Sequence, residues 1–167
     1  GGDGYSFCMH RFILLLGLLL VPTLHAVSKP LPVNAGDHVV LSGNTLAVRM
    51  GIFGHFETFL HCKFPKHKLV VRNLGWPADE ITRSRGGVLM PRPTGFGNLH
   101  EQLTSQKADL IFACFGLNES FASDAGLEKF ERDLNTFLAE LQTKKHNGKT
   151  TPRIVLISPI AAEQEGD

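Results

Sequence analysis

The stretch Leu110-Ile111-Phe112-Ala113-Cys114-Phe115-Gly116-Leu117-Asn118-Glu119-Ser120 decides the fold. Its first six residues are apolar without alternation, which suits a strand buried on both faces, as in a parallel sheet covered by helices. The run then breaks into a polar cluster opened by a glycine. Three other runs behave the same way. His38-Val39-Val40-Leu41 leads into Ser42-Gly43-Asn44-Thr45, Leu69-Val70-Val71-Arg72 into Asn73-Leu74-Gly75, and Ile154-Val155-Leu156-Ile157 into Ser158-Pro159. In such a sheet ligands bind beyond the carboxyl ends of the strands, where these clusters gather. The pattern therefore predicts one site on one rim.

Helical patterns fill the gaps between the runs. From Leu46, the apolar residues Met50, Phe53, Phe56, Leu60 and Phe64 recur at helical spacing, with Gly51 and Gly54 as places where the helix can break. Asn98 followed three residues later by Glu101 is a helix start, with Leu99 and Leu103 as its apolar stripe. Leu127, Phe130, Leu134, Phe137, Leu138 and Leu141 define the strongest helix; Lys144 and Lys145 favour its C-terminus and Asn147-Gly148 stops it. Residues 82–97 are rich in glycine, proline and arginine, have no period, and read as a long exposed loop bordering a site. The order β-α-β-(loop, α)-β-α-β predicts a three-layer α/β/α sandwich around a parallel sheet with right-handed crossovers. A sheet whose last strand is followed by only a few residues reads as incomplete at its C-terminus.

A chain of 167 residues with 43% apolar content suits one domain with one core. Seventeen basic and sixteen acidic residues give no reason to expect a nucleic-acid partner. Met9-His10-Arg11, the apolar residues 12–20, and Val21-Pro22-Thr23-Leu24-His25-Ala26 read as a secretory signal peptide over 9–26, too short for a stable membrane span. Residues 1–8 read as an upstream artefact or tag, and 27–36 as an extended lead-in to a domain over 37–167. Export would place the protein in a secreted or bacterial periplasmic setting. Cys62 and Cys114 then remain, one on a helix and one in a strand; both read as packing residues, with no disulfide framework. No Cys-x-x-Cys-His occurs, so the stretch itself carries no c-type haem attachment.

Among the clusters, Gly43-Asn44-Thr45 opens a helix, where amide N–H groups favour anionic oxygens, yet Asn and Thr are equally ordinary N-cap residues. Asn118 can donate to a developing oxyanion or close an ordinary turn. The segment from Arg72 through Asn73, Trp76, Asp79 and Glu80 reads either as a substrate wall with backbone donors or as a packed loop. His55, His61 and His67 are six apart, about 120° on a helix, so they would not share a metal. Arg83, Arg85 and Arg92 read as solvated loop charges, and Glu128, Glu131 and Asp133 as a polar helix face. A flavodoxin-like carrier is disfavoured because the loop after the first strand lacks the hydroxyl and glycine run a flavin phosphate needs.

These clusters, in this order, resemble the SGNH or GDSL-type hydrolase family over residues 37–159. Gly43-Asn44-Thr45 stands at the Gly-Asp-Ser block, so the resemblance places Thr45 at the nucleophile position and Asn44 beside it. Asn73 to Asp79 is similar to the second block, with Ala78 where a glycine N–H lines the oxyanion hole. Gly116-Leu117-Asn118-Glu119 is similar to Gly-x-Asn-Asp, with Asn118 as the oxyanion donor. Gly43, Trp76, Asp79 and Glu119 then border the substrate. The Asp-x-x-His block that supplies the base has no counterpart before Asp167. Gly-Asn-Thr-Leu-Ala (43–47), Arg-Asn-Leu-Gly-Trp (72–76) and Leu-Asn-Glu-Ser-Phe (117–121) resemble an SGNH-like domain of large secreted bacterial proteins, some with c-type haem domains.

The resemblance implies hydrolysis of acyl or acetyl esters, including those of carbohydrates, without cofactor or metal. The departures weaken the chemistry. Threonine adds a methyl that restricts χ1, Asn44 removes a carboxylate, and the Cβ of Ala78 resists positive φ. A hydroxyl without a base is a weak nucleophile. The alternative is a non-catalytic binding or scaffold domain of a larger secreted haem-binding protein.

Overall fold

Four strands lie side by side in the computed structural model, which describes residues 31–82 and 98–160. They are β1 His38–Gly43, β2 Val70–Asn73, β3 Leu110–Cys114 and β4 Arg153–Ile157. The sheet is all-parallel, in the order β2-β1-β3-β4. The register sets Val39 beside Leu110, Gly43 beside Cys114, and Cys114 beside Ile157. The α/β architecture read from the four runs is thus present. The signal-peptide reading over 9–26, the artefact reading over 1–8 and the arginine loop with Arg83, Arg85 and Arg92 lie outside the described residues. None of the described helices is long and apolar enough to cross a membrane.

Because both faces of the central strands are covered, alternate residues of each strand feed two cores. On one face Val40, Ile111, Ala113 and Phe115 meet Leu99 and Leu103 of α3 (Leu99–Ser105) and Phe137 and Leu141 of α4 (Leu127–Thr143). On the other Val39, Leu41, Leu110, Phe112 and Cys114 meet Ala47 of α1 (Thr45–Phe53) and Leu60 of α2 (His55–Lys63). Phe115 and Phe137 pack edge to face at 5.3 Å, and Phe56 and Phe112 at 5.0 Å.

The helix boundaries follow local chemistry. Asn98 and Glu101 form a complete capping box at the start of α3, as their spacing predicts. The single helical period from Leu46 to Phe64 breaks at Gly54, in the left-handed region at φ 67°. Phe53, expected in the apolar stripe, is the last residue of α1 beside that break and is 58% exposed. Cys62, expected to pack, is also exposed. α4 stops at Thr143, and Lys144 is already extended, so the two lysines lie past the helix rather than in its last turn.

Polar latches hold the amino ends of the strands. Arg153 Nη2 donates to Asp37 Oδ1 at 2.6 Å, tying β4 to the lead-in of β1, while Asp37 Oδ2 accepts from Asn34 N at 2.6 Å. Asp109 Oδ2 accepts from His38 N at 2.8 Å, and Asn147 donates to Asp109 Oδ1. Both aspartates thereby gain charge-assisted partners in a partly desolvated place.

His146 is buried at the end of this layer, its ring stacked on His100 at 5.6 Å. Thr104 Oγ1 gives its proton to His100 O at 2.8 Å and lies 3.0 Å from His146 Nδ1, so it accepts from that nitrogen. His146 Nε2, where a second proton would go, is buried without a partner. Burial pushes the His146 pKa down to about 4, with further contributions from the charges of His100 and Lys144. A group lowered in this way makes the unfolded chain the better proton acceptor between the two pKa values. Stability is therefore expected to be full above pH 6.5, the ordinary histidine value, and to fall as pH drops toward about 4. The loss is on the order of 2–3 kcal/mol. Chemical denaturation across that window should show the slope in the native chain and a flatter profile in His146→Gln.

Candidate functional site

β1 sends its chain into α1 on one face of the sheet, whereas β3 leads through the 3₁₀ turns Glu119–Ala122 and Asp124–Gly126 to α4 on the other. The carboxyl ends of these adjacent strands therefore open a crevice at a topological switch point. A close backbone approach fixes its floor. Gly43 has φ 125°, and a Cβ there would collide with the Cys114 carbonyl group, 2.6 Å from its carbon. Next to it Asn44 N donates to Cys114 O at 2.9 Å, and Trp76 N donates to Gly43 O at 2.8 Å. Gly43 thus joins three loops through its backbone.

Asn44 is buried, and its Oδ1 accepts from Leu46 N at 3.0 Å. Of the two readings of this residue, the helix N-cap is the one seen. Thr45 opens α1 in the first turn, where amide N–H groups lack intrahelical acceptors and the helix dipole favours negative charge. Gly75 lies so close to α1 that an added Cβ would sit 2.7 Å from Val48 N, which presses the loop after β2 against the helix. That loop carries Ala78 to Thr45, with Ala78 N donating to Thr45 Oγ1 at 3.4 Å. Asn118 Nδ2 donates to Ala78 O at 2.9 Å. Thr45, Ala78 and Asn118, from three separate loops, therefore form one contiguous chain of contacts.

Ala78 has φ 56°, the left-handed conformation that its Cβ disfavours by about 1–2 kcal/mol. The surrounding bonds hold it there, so its N–H still points to the hydroxyl. Glu119 does the bracing. Its Oε1 accepts from Ile81 N at 2.9 Å and its Oε2 from Gly116 N at 3.0 Å, spanning the second and third loops. Nothing in residue type or spacing announces this role, because Ile81 is 38 residues away in sequence.

A cavity of about 320 Å³ adjoins Thr45, lined by Asn44, Leu46, Arg49, Cys114, Phe115 and Leu117, with Pro159 and Ile160 at its far wall. Gly43, Trp76, Asp79 and Glu119, expected to border substrate, are not among its lining residues, nor are Ala78 and Asn118. Asp79 is buried, with its N–H donating to Trp76 O at 3.2 Å. The Cys114 thiol is pushed up to about 11 by burial, so it lines the wall as a neutral apolar group. No lining residue is a histidine or a carboxylate, and among the described residues no group of three or more His, Cys, Asp or Glu could hold a metal ion.

No protein-family model matches the chain, and no curated protein matches it. A solved structure of a gut microbial diltiazem-metabolizing enzyme is similar at a TM-score of 0.47 and 17% identity. The alignment covers 75% of this chain and 27% of that one, so this chain spans about a quarter of that enzyme's length. A likeness at this level carries no argument about activity.

Two substitutions test the geometry by urea denaturation. Gly43→Ala should cost about 2 kcal/mol or more, because backbone on both sides must move. Ala78→Gly should gain about 1 kcal/mol by relieving the left-handed alanine.

Proposed function

We propose that the chain is an SGNH-hydrolase-like domain whose rim hydrolyses esters of small acyl groups, carried by carbohydrates or comparable alcohols. The observation that carries this reading is the contact series from Thr45 Oγ1 through the Ala78 amide to Asn118. In the reaction, Thr45 Oγ1 attacks the ester carbonyl and its proton passes to a base. The carbonyl oxygen becomes an oxyanion held by the backbone N–H groups of Thr45 and Ala78 and by the carboxamide of Asn118. A carbonyl carbon bonded to Thr45 Oγ1 brings its oxygen within hydrogen-bond range of the Ala78 N–H, 3.4 Å from Oγ1. An asparagine carboxamide has two N–H groups, and one is already given to Ala78 O. The base belongs to the Asp-x-x-His block that the resemblance calls for. The oxyanion then collapses, the bond to the ester's alkoxy oxygen breaks, and the alcohol leaves with the proton held by the base. Water hydrolyses the acyl-threonine in the second half of the cycle, releasing the acid and restoring the Thr45 hydroxyl.

A binding or scaffold domain that keeps the hollow without the reaction is the second reading. Among the described residues the cavity lining is apolar apart from Asn44, Thr45 and Arg49, a composition that suits holding a ligand. Hydrolysis of a simple acetyl ester, measured on the domain with its natural downstream sequence, separates the two. Catalysis predicts that Thr45→Ala loses at least about 100-fold in kcat. It also predicts that Thr45→Ser, free of the methyl, equals or exceeds the native rate. Equal rates in the native chain and Thr45→Ala would leave only the binding reading.

A further inference from the structure

The break at Gly54 turns an exposed stripe outward that neither core uses. On α1 it comprises Arg49, Ile52 and Phe53, three and four residues apart; on α2 it continues through His55, Phe59 and Lys63 at intervals of four. Ile52 is 71% exposed, Phe53 58% and Phe59 63%. A ring contact joins the two halves, Phe53 stacking on His55 at 6.3 Å, and within α2 Lys63 Nζ lies 5.9 Å over the Phe59 ring. The result is one ridge, apolar along its crest and cationic at both ends.

Charge is segregated toward it. Residues 45–68 contain the cations Arg49, Lys63, Lys66 and Lys68 against the single carboxylate Glu57, leaving thirteen basic and fifteen acidic residues for the rest of the chain. Glu57 is itself engaged, 3.7 Å from His61. A second exposed apolar group, Phe121 with Leu127, has the opposite setting, with Glu119, Asp124 and Glu128 nearby in sequence. Large apolar side chains flanked by long flexible cations suit the boundary between acyl chains and anionic headgroups.

We propose that the ridge Arg49–Ile52–Phe53–His55–Phe59–Lys63 docks the protein peripherally onto an anionic phospholipid surface. Phe53 and Phe59 enter the acyl boundary while the lysines and Arg49 stay at the phosphate level. Arg49 also lines the cavity beside Thr45, so docking sets that mouth near the lipid. The inference stands whether or not Thr45 is catalytic.

The test uses the full chain carrying Cys8→Ser, with an environment-sensitive fluorophore on Cys62, which is exposed one turn beyond Phe59, whereas Cys114 is buried. Vesicles of equal parts phosphatidylglycerol and phosphatidylcholine, doped with a nitroxide lipid, should quench the label. Each of Lys63→Gln and Lys66→Gln should weaken binding about fivefold, and high salt should reverse it. The pair Phe53→Ser and Phe59→Ser should abolish quenching while leaving the thermal melt intact. Equal binding to phosphatidylcholine alone would overturn the proposal. So would vesicle binding without quenching, which would assign attachment to another part of the chain. Concentration-dependent self-association that the same serine variants abolish, with no vesicle binding, would instead make the ridge a protein interface.

Discussion

The site depends on the missing side chain at Gly43. β1 and β3 converge at their carboxyl ends until the Gly43 Cα rides over the Cys114 carbonyl, a distance no Cβ can occupy. From that approach follow the bond from Asn44 N to Cys114 O, the start of α1, and the anchoring of the second loop through Trp76 N. Thr45 owes its place to the first two of these and Ala78 to the third. With a larger residue at Gly43 the strands must part, and three loops lose their common reference at once.

Most of the fold was legible because its signals are local. A continuous apolar run is a statement about burial on both faces, and Leu110 to Cys114 is buried throughout. Asn98 and Glu101 are three residues apart, and their reciprocal bonds need nothing else. The Leu46–Phe64 period reads as one helix, but the left-handed Gly54 ends α1 at Phe53, which is left exposed at the helix terminus. Cys62 reads as packing from its residue type alone, yet it lies off the Phe56–Leu60–Phe64 stripe of the second helix and is exposed.

At the rim, the order of the clusters named residues that the fold does bring together, but their roles depend on partners remote in sequence. Asn44 caps, a role its type had offered from the start. Glu119 looked like a substrate contact and instead accepts two backbone N–H groups, one from Ile81. Ala78 adopts a conformation its own chemistry resists, so only its place at a position where the resembled family has glycine hinted at it. The apolar character of the cavity was hidden because Leu46, Leu117 and Ile160 come from separate elements.

The latches made by Asp37, Asp109 and Arg153 sit at the opposite end of the strands from Thr45. The strands are thus pinned at both ends, by side-chain latches at the amino ends and by the Gly43 approach at the carboxyl ends. Exchanges beside Gly43, serine for threonine at 45 or glycine for alanine at 78, leave both sets of ties in place. Side chains at this rim can therefore be exchanged one at a time without passing through an unfolded ancestor.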